Sequence, residues 1–292
     1  GIAEVFQIGN SINRKKWAFL SMDEYFSFFK IAYDLKKNKF PKIKLLGSNI
    51  IDFDIPFFSR SVFHLKYIFY DGIASQLYVD RRGGPEQKQY GFDTLNKIRV
   101  YKAMARASKK TSNEMYITEV NWPLNGMKNW APAENFLIDE SLQSSYLVRY
   151  YLLMLATGKV KKCFWHQLVA PGYGLVNNLD EKIKKRDAYY CFQNLIAMLS
   201  GGITKKMTRE KNLFCLIVEK EEKLIEAIWS SKGIANFKSN PNQEIFDIRG
   251  NAIDTKSSPV INISGEVIYV INQRENYQET NIKLISETIT TG

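Results

Sequence analysis

Five times in succession along residues 1–201, a short apolar run gives way to an amphipathic stretch of helical period. That alternation constrains the chain more than any other feature. The apolar runs predict strands over 5–8, 42–46, 74–79, 115–120 and 160–168. The intervening patterns predict helices over 22–37, 56–69, 94–107, 144–156 and 184–199. Ser21 stands where the first long helix needs an N-cap, and Glu24 follows at capping-box spacing. Pro56 falls in the first turn of the next, where its missing N–H costs nothing. Strict alternation requires parallel strands, because each helix returns the chain to the same end of the sheet, from which the next strand starts in the same direction.

After Gly202 the rhythm changes. Runs at 213–218, 224–229, 244–248 and 267–271 are separated by turns such as Arg249-Gly250-Asn251, with no helical pattern between them. The expected architecture is α/β: the C-terminal five βα units of a (β/α)₈ TIM-type barrel over 1–202, then a small antiparallel β-sandwich over 203–292. Five strands do not close an eight-stranded barrel. The absent units have three open sources: a cleaved segment, the rest of a longer chain, or another chain that supplies them as a partner.

The net charge of +11 raises the question of nucleic acid. The cations are mostly lysines in short runs at or beside helix ends, such as Lys36-Lys37 and Lys184-Lys185-Arg186, where they complement the helix dipole. Neither zinc-finger spacing nor an RNA-binding aromatic strand is present, so a solvated surface is expected and a nucleic-acid partner is not. Cys163, Cys191 and Cys215 are odd in number and widely spaced, which predicts free thiols. His64 reads as structural. His166 has no second His or Cys spaced to join it, so no metal or cofactor is expected. No apolar run approaches the roughly 20 residues of a membrane span, and residues 1–9 lack the pattern of a secretory signal.

In a parallel barrel the strand C-termini face the active site, and here they carry unusual polar clusters. The first ends in Gly9-Asn10-Ser11-Ile12-Asn13-Arg14, with Trp17 just beyond. The third runs into Tyr78-Val79-Asp80-Arg81-Arg82, and Glu86 follows in the same loop. The fourth ends in Thr118-Glu119-Val120-Asn121-Trp122, and the fifth in Phe164-Trp165-His166. Aromatics make up 13% of the chain, and such rings, where exposed, offer apolar faces to sugar C–H groups.

The order of these clusters resembles the last five strands of the clan A retaining glycoside hydrolases, particularly bacterial members tied to surface polysaccharides. The similarity covers residues 3–201. In that clan the fourth barrel strand closes with Gly-Asn-Glu, whose Glu is the general acid/base. The seventh ends in an Ile-Thr-Glu-Val-x-Trp setting whose Glu is the nucleophile, and the eighth carries a sugar-lining Trp. Ile117-Thr118-Glu119-Val120-Asn121-Trp122 and Phe164-Trp165 match the last two.

The resemblance implies Glu119 as nucleophile, Asn10 on the sugar 2-hydroxyl and Trp165 in the sugar site. Position adds Tyr78 as a partner orienting Glu119, and Trp17 and Trp122 as sugar platforms. Arg81 and Arg82 are placed to hold polar or acidic substituents, and His166 is a hydrogen-bonding neighbour. Asp80 fits a structural ion-pair cluster or an anionic-sugar contact. The aromatics fit a core as well as a groove.

Ser11 departs from the pattern. It stands where the acid/base carboxyl is expected, and a hydroxyl with no accessible pKa near neutrality does not replace a carboxylic acid. The expectation is a glycosidase acting by retention on a β-linked, neutral or anionic polysaccharide or oligosaccharide. Its rival is a carbohydrate-binding protein that kept the groove and lost the acid. Nothing in the sequence chooses among periplasm, cell surface and cytoplasm.

Overall fold

The computed structural model of the protein describes residues 3–127, 130–131, 136–179, 183–277, 280 and 282–286. Two compact units emerge. One holds the described residues up to Gly83 together with Gln87–Asn121 and Lys159–His166; the other holds Gly84–Glu86, Trp122–Gly158 and the described residues from Gln167 onward.

The first unit is built on a curled five-stranded parallel sheet of β1 (Val5–Gln7), β2 (Lys44–Ile51), β3 (Gly72–Gln76), β4 (Met115–Val120) and β5 (Lys162–Trp165), in that spatial order. Every neighbouring pair is parallel, as strict alternation demands. A single turn, α1 (Lys15–Ala18), and the helix α2 (Met22–Lys39) follow β1; α3 (Ile55–Val62) follows β2, and α4 (Thr94–Ser108) follows β3. The capping box opens α2 as expected, with Ser21 and Glu24 each bonded to the other's backbone N–H. All five residues of β3 are buried, the signature of a strand covered on both faces.

Two elements differ from the sequence expectation for identifiable reasons. Strand β2 continues through Gly47-Ser48-Asn49, a polar stretch that hides its strand character. A Cβ on Gly47 would lie 2.0 Å from the Tyr70 ring, so the chain needs glycine there. Ser48 and Asn49 are buried at left-handed φ in a bulge: Ser48 Oγ meets Ser61 Oγ at 2.8 Å, and Asn49 Nδ2 donates to the Leu46 carbonyl at 3.2 Å, while Asn49 Oδ1 has no partner among the described residues. Helix α3 ends at Val62, short of the expected 69. Leu65 and Tyr67, which continue its apolar pattern, are 95% exposed, while the Tyr70 N–H is drawn to the Lys110 carbonyl at 2.9 Å.

The second unit contains α5 (Glu140–Thr157) and α6 (Asp187–Leu199), with a two-stranded ladder of β6 (Val176–Asn177) and β7 (Lys184–Lys185). Residues 184–185 were expected to be helical, but they pair in that ladder and the helix starts at Asp187. From residue 203 the described chain is extended apart from turns and one 3-10 turn, Arg274–Asn276. A five-stranded antiparallel sheet is formed by β8 (Ile203–Glu210), β9 (Leu213–Lys220), β10 (Lys223–Ser230), β12 (Glu244–Phe246) and β14 (Ile268–Gln273). A three-stranded one is formed by β11 (Ile234–Lys238), β13 (Val260–Ile263) and β15 (Ile282–Ser286). Leu213, Ile217, Ile228 and Val270 of the larger sheet share one apolar cluster with Phe237, Ile261 and Ile263 of the smaller. Burial of this kind contributes roughly 1.5–3 kcal/mol per large side chain. All three cysteines are free thiols.

Candidate active site

The first unit brings the ends of β1, β3, β4 and β5 together around one carboxylate. Glu119 lies in a bulge of β4: the ladder with β5 pairs Ile117 with Cys163 and then Val120 with Trp165, so Thr118 and Glu119 occupy the extra space. A bulge re-aims a side chain, and the Glu119 carboxylate keeps 18% exposure. One of its oxygens accepts the Tyr78 hydroxyl; the other accepts Gln76 Nε2 at 2.7 Å. His166 Nδ1 stands 3.8 Å from that second oxygen, too far for a hydrogen bond.

Gln76, at the end of β3, is the node of the cluster and was not anticipated. It is 1% exposed. Its amide nitrogen serves Glu119 and the side-chain oxygen of Asn10, while its amide oxygen accepts the Ser11 hydroxyl at 2.5 Å. Both donors and the acceptor of the amide are therefore used. The signal available in the sequence was a Gln closing an otherwise apolar and small run, two residues before Tyr78.

The loop after β1 is pinned to the end of β2. Asn13 Oδ1 accepts the Ile51 N–H at 2.9 Å, and Asn13 Nδ2 donates to the Ile51 carbonyl and to Asp54, each at 3.0 Å. Within that loop Ser11 is buried and Asn10 exposed. The Arg14 N–H closes a turn on the Ser11 carbonyl at 2.8 Å, and its guanidinium pairs with Asp52 at 2.9 Å. Trp17 is 61% exposed, with the Lys16 ammonium 5.4 Å from its ring.

Tyr78 is itself held from the far side. Arg81 and Arg82 both adopt left-handed φ, a conformation that costs non-glycine residues about 1–2 kcal/mol each. The Arg82 guanidinium lies 3.6 Å from the Tyr78 ring centroid and donates to the Asn121 carbonyl at 3.4 Å. Burial first, then the Glu119 charge, pushes the Tyr78 phenol well above its ordinary value, so at neutral pH it remains a donor. Burial pulls the Arg82 guanidinium down, opposed by Tyr78 and Asp52. Arg81 is exposed and Asp80 half-buried. Trp165 is half-buried.

Two further residues singled out in the sequence belong to the second unit. Trp122 is fully buried, edge-on against Tyr146 and Tyr150, so its ring offers no face to a ligand. Glu86 is 7% exposed and is gripped by the Arg149 guanidinium through both its oxygens, one at 3.0 Å; Trp229 Nε1 donates to it at 2.7 Å. Among the described residues no group of three or more His, Cys, Asp or Glu is arranged to hold a metal ion, and no helix is long and apolar enough to cross a membrane.

No protein-family profile matches this sequence, and no curated protein matches it. Solved structures do. A family 39 glycoside hydrolase from Bacteroides cellulosilyticus WH2 aligns with a TM-score of 0.68 at 16% identity, covering 91% of this chain and 57% of that one. A family 39 β-xylosidase from Caulobacter crescentus gives 0.56 at 13%, covering 92% and 66%. A family 30 subfamily 8 xylanase from Clostridium acetobutylicum gives 0.54 at 11%, covering 92% and 66%. The chain thus has a glycosidase-like fold and spans between 57% and 66% of the length of these three.

Proposed function

We propose that this protein is a glycoside hydrolase-like enzyme that opens β-glycosidic bonds by retention, with Glu119 attacking the anomeric carbon. In this reading residues 1–202 are the C-terminal part of a (β/α)₈ barrel and 203–292 an accessory β-sandwich. The observation that carries it is the Glu119 carboxylate itself, aimed by a bulge and fixed by one donor on each oxygen. A nucleophile held in a single rotamer loses little entropy on attack. Asn10, beside it, has an exposed amide available to a sugar hydroxyl. We assign stacking to the exposed ring of Trp17 and to the half-buried ring of Trp165, and Arg81 is an exposed cation for an acidic substituent.

A carbohydrate-binding protein without turnover is the second reading. The specific observation in its favour is Ser11, which is buried with its hydroxyl committed to Gln76. Two carboxyls of the loop after β3, Asp80 and Glu86, could lend the acid that Ser11 lacks; of these Glu86 is fully engaged by Arg149 and Trp229.

The test is a panel of 2-deoxy-2-fluoro-β-glycosyl fluorides followed by peptide mass spectrometry. A glycosyl adduct on Glu119 supports the enzyme; binding of oligosaccharide by calorimetry with no adduct from any sugar supports the second reading. Ser11→Glu should raise turnover of an alkyl-linked glycoside by roughly 10²–10⁴-fold, the usual worth of a general acid.

A further inference from the structure

The loop that lacks the acid is rich in cations. Ser11 is followed by Arg14, Lys15 and Lys16, all exposed, and then by the exposed ring of Trp17. The loop is fixed to the end of β2 by Asn13, so this charge is held at the same end of the sheet as Glu119. A chain of contacts links the two. The Arg14 guanidinium grips Asp52, the Asp52 N–H donates to the Gln76 carbonyl at 2.9 Å, and the Gln76 amide holds Glu119. Asp52 offsets one of the three positive charges and leaves two.

An acid is needed only when the departing oxygen is a poor leaving group. An alkoxide must be protonated as it leaves, whereas an oxyanion whose charge is already spread needs cations instead. We propose that the site takes glycosyl esters of phosphoric or diphosphoric acid, with Arg14, Lys15 and Lys16 holding the phosphate as it departs. This rests on Glu119 being the nucleophile.

In the first step a Glu119 oxygen forms a bond to C1. The C1–O bond breaks, and its electron pair stays on the diphosphate oxygen or, for the monoester, on the phosphate of the singly protonated substrate, which leaves as hydrogen phosphate; no proton comes from the protein. In the second step water attacks C1, Glu119 leaves as the carboxylate, and the water's proton passes to the released phosphate or to solvent. Atoms and charge balance without a general acid, and Ser11 is then no defect. A glutamate at that position would repel the anion.

The experiment uses the whole chain with three probes of one sugar: a β-glycosyl fluoride, the β-glycosyl 1-phosphate and its nucleoside diphosphate ester. The fluorosugar adduct on Glu119 serves as the check on the nucleophile. Expected is release of phosphate or nucleoside diphosphate with kcat/KM at least 100-fold above that for the methyl glycoside; the faster of the two esters identifies the leaving group. Arg14→Ala and the Lys15→Ala/Lys16→Ala pair should each lower kcat/KM for the esters about tenfold or more, as expected for lost charge-assisted contacts. The loss on the fluoride should be at least tenfold smaller than on the esters, and an unchanged thermal melting curve certifies folding. Ser11→Glu should slow the esters while speeding the methyl glycoside. A Glu119 adduct without ester cleavage overturns this proposal and leaves the nucleophile standing. Equal losses on fluoride and ester would make the cations structural, and overturn it too. No adduct at all removes the nucleophile and the proposal together.

Discussion

Tyr78→Phe isolates one hydrogen bond at the proposed centre. The substitution removes the hydroxyl that donates to one oxygen of Glu119 and leaves the ring, so the guanidinium of Arg82 keeps its stacking surface 3.6 Å from the centroid. Hydrogen bonds to a charged group contribute about 1.5–3 kcal/mol. Glu119 is 18% exposed, so water can partly replace the lost donor, and Gln76 still holds the other oxygen at 2.7 Å. The lower part of the range applies, about 1.5–2 kcal/mol, which is roughly a 10- to 30-fold loss of rate. The assay is kcat/KM on a dinitrophenyl β-glycoside, whose leaving group needs no acid, alongside the thermal melting curve. The loss should fall on kcat rather than KM, because an aimed nucleophile matters most in the transition state. A folded variant within twofold of the parent would refute the idea that Tyr78 orients Glu119.

Glu86→Gln breaks a buried pair whose members are 4% and 7% exposed, so urea titration should show a loss of about 3–5 kcal/mol while activity per folded molecule is kept; a folded variant without turnover would instead make Glu86 the acid. Trp122→Ala should cost about 3–5 kcal/mol in the same assay, as for a large core aromatic, with no separate loss of sugar affinity. Burial, with Lys110 nearby, holds the His64 imidazole down at about 4 against an ordinary 6.5. The unfolded chain therefore takes up the proton first, and stability should fall as pH drops from about 6.5 to 4. In His64→Phe, which keeps a ring against Phe26 and Tyr70, that slope of urea midpoint against pH should flatten; an unchanged slope rules out His64 as its source.

The parallel sheet was legible because its evidence is local and repeated. Periodicity marked α2 and α4, and the Ser21–Glu24 pair marked a helix start to the residue. The continuation of β2 was not legible, because Ser48 and Asn49 are buried by partners 13 residues ahead and 41 residues behind, and a polar residue's burial depends on partners a linear reading does not supply. Trp122 shows the opposite limit. It sits three residues from Glu119 in a motif that reads as one functional string, yet the chain leaves the strand after Val120 and the ring turns into a core of tyrosines.

The cluster around Glu119 divides along the same line. Glu119 and Tyr78 could be singled out because each falls at or just after the C-terminal end of a strand, and strand ends in a parallel barrel share one face. Gln76 could not, since its importance lies in the joining of three strand ends by one amide. It gives Ser11 an acceptor, Asn10 a donor and Glu119 a second donor, and it can do so only as a carboxamide. A glutamate at Gln76 would set a second negative charge against Glu119 and lose both donors; a leucine would leave the buried Ser11 hydroxyl without its acceptor. Ser11 and Gln76 therefore belong together as a pair. Whatever replaces one must answer for the other, and Ser11→Glu will report on an acid cleanly only if the new carboxylate still finds the Gln76 amide rather than displacing it from Glu119.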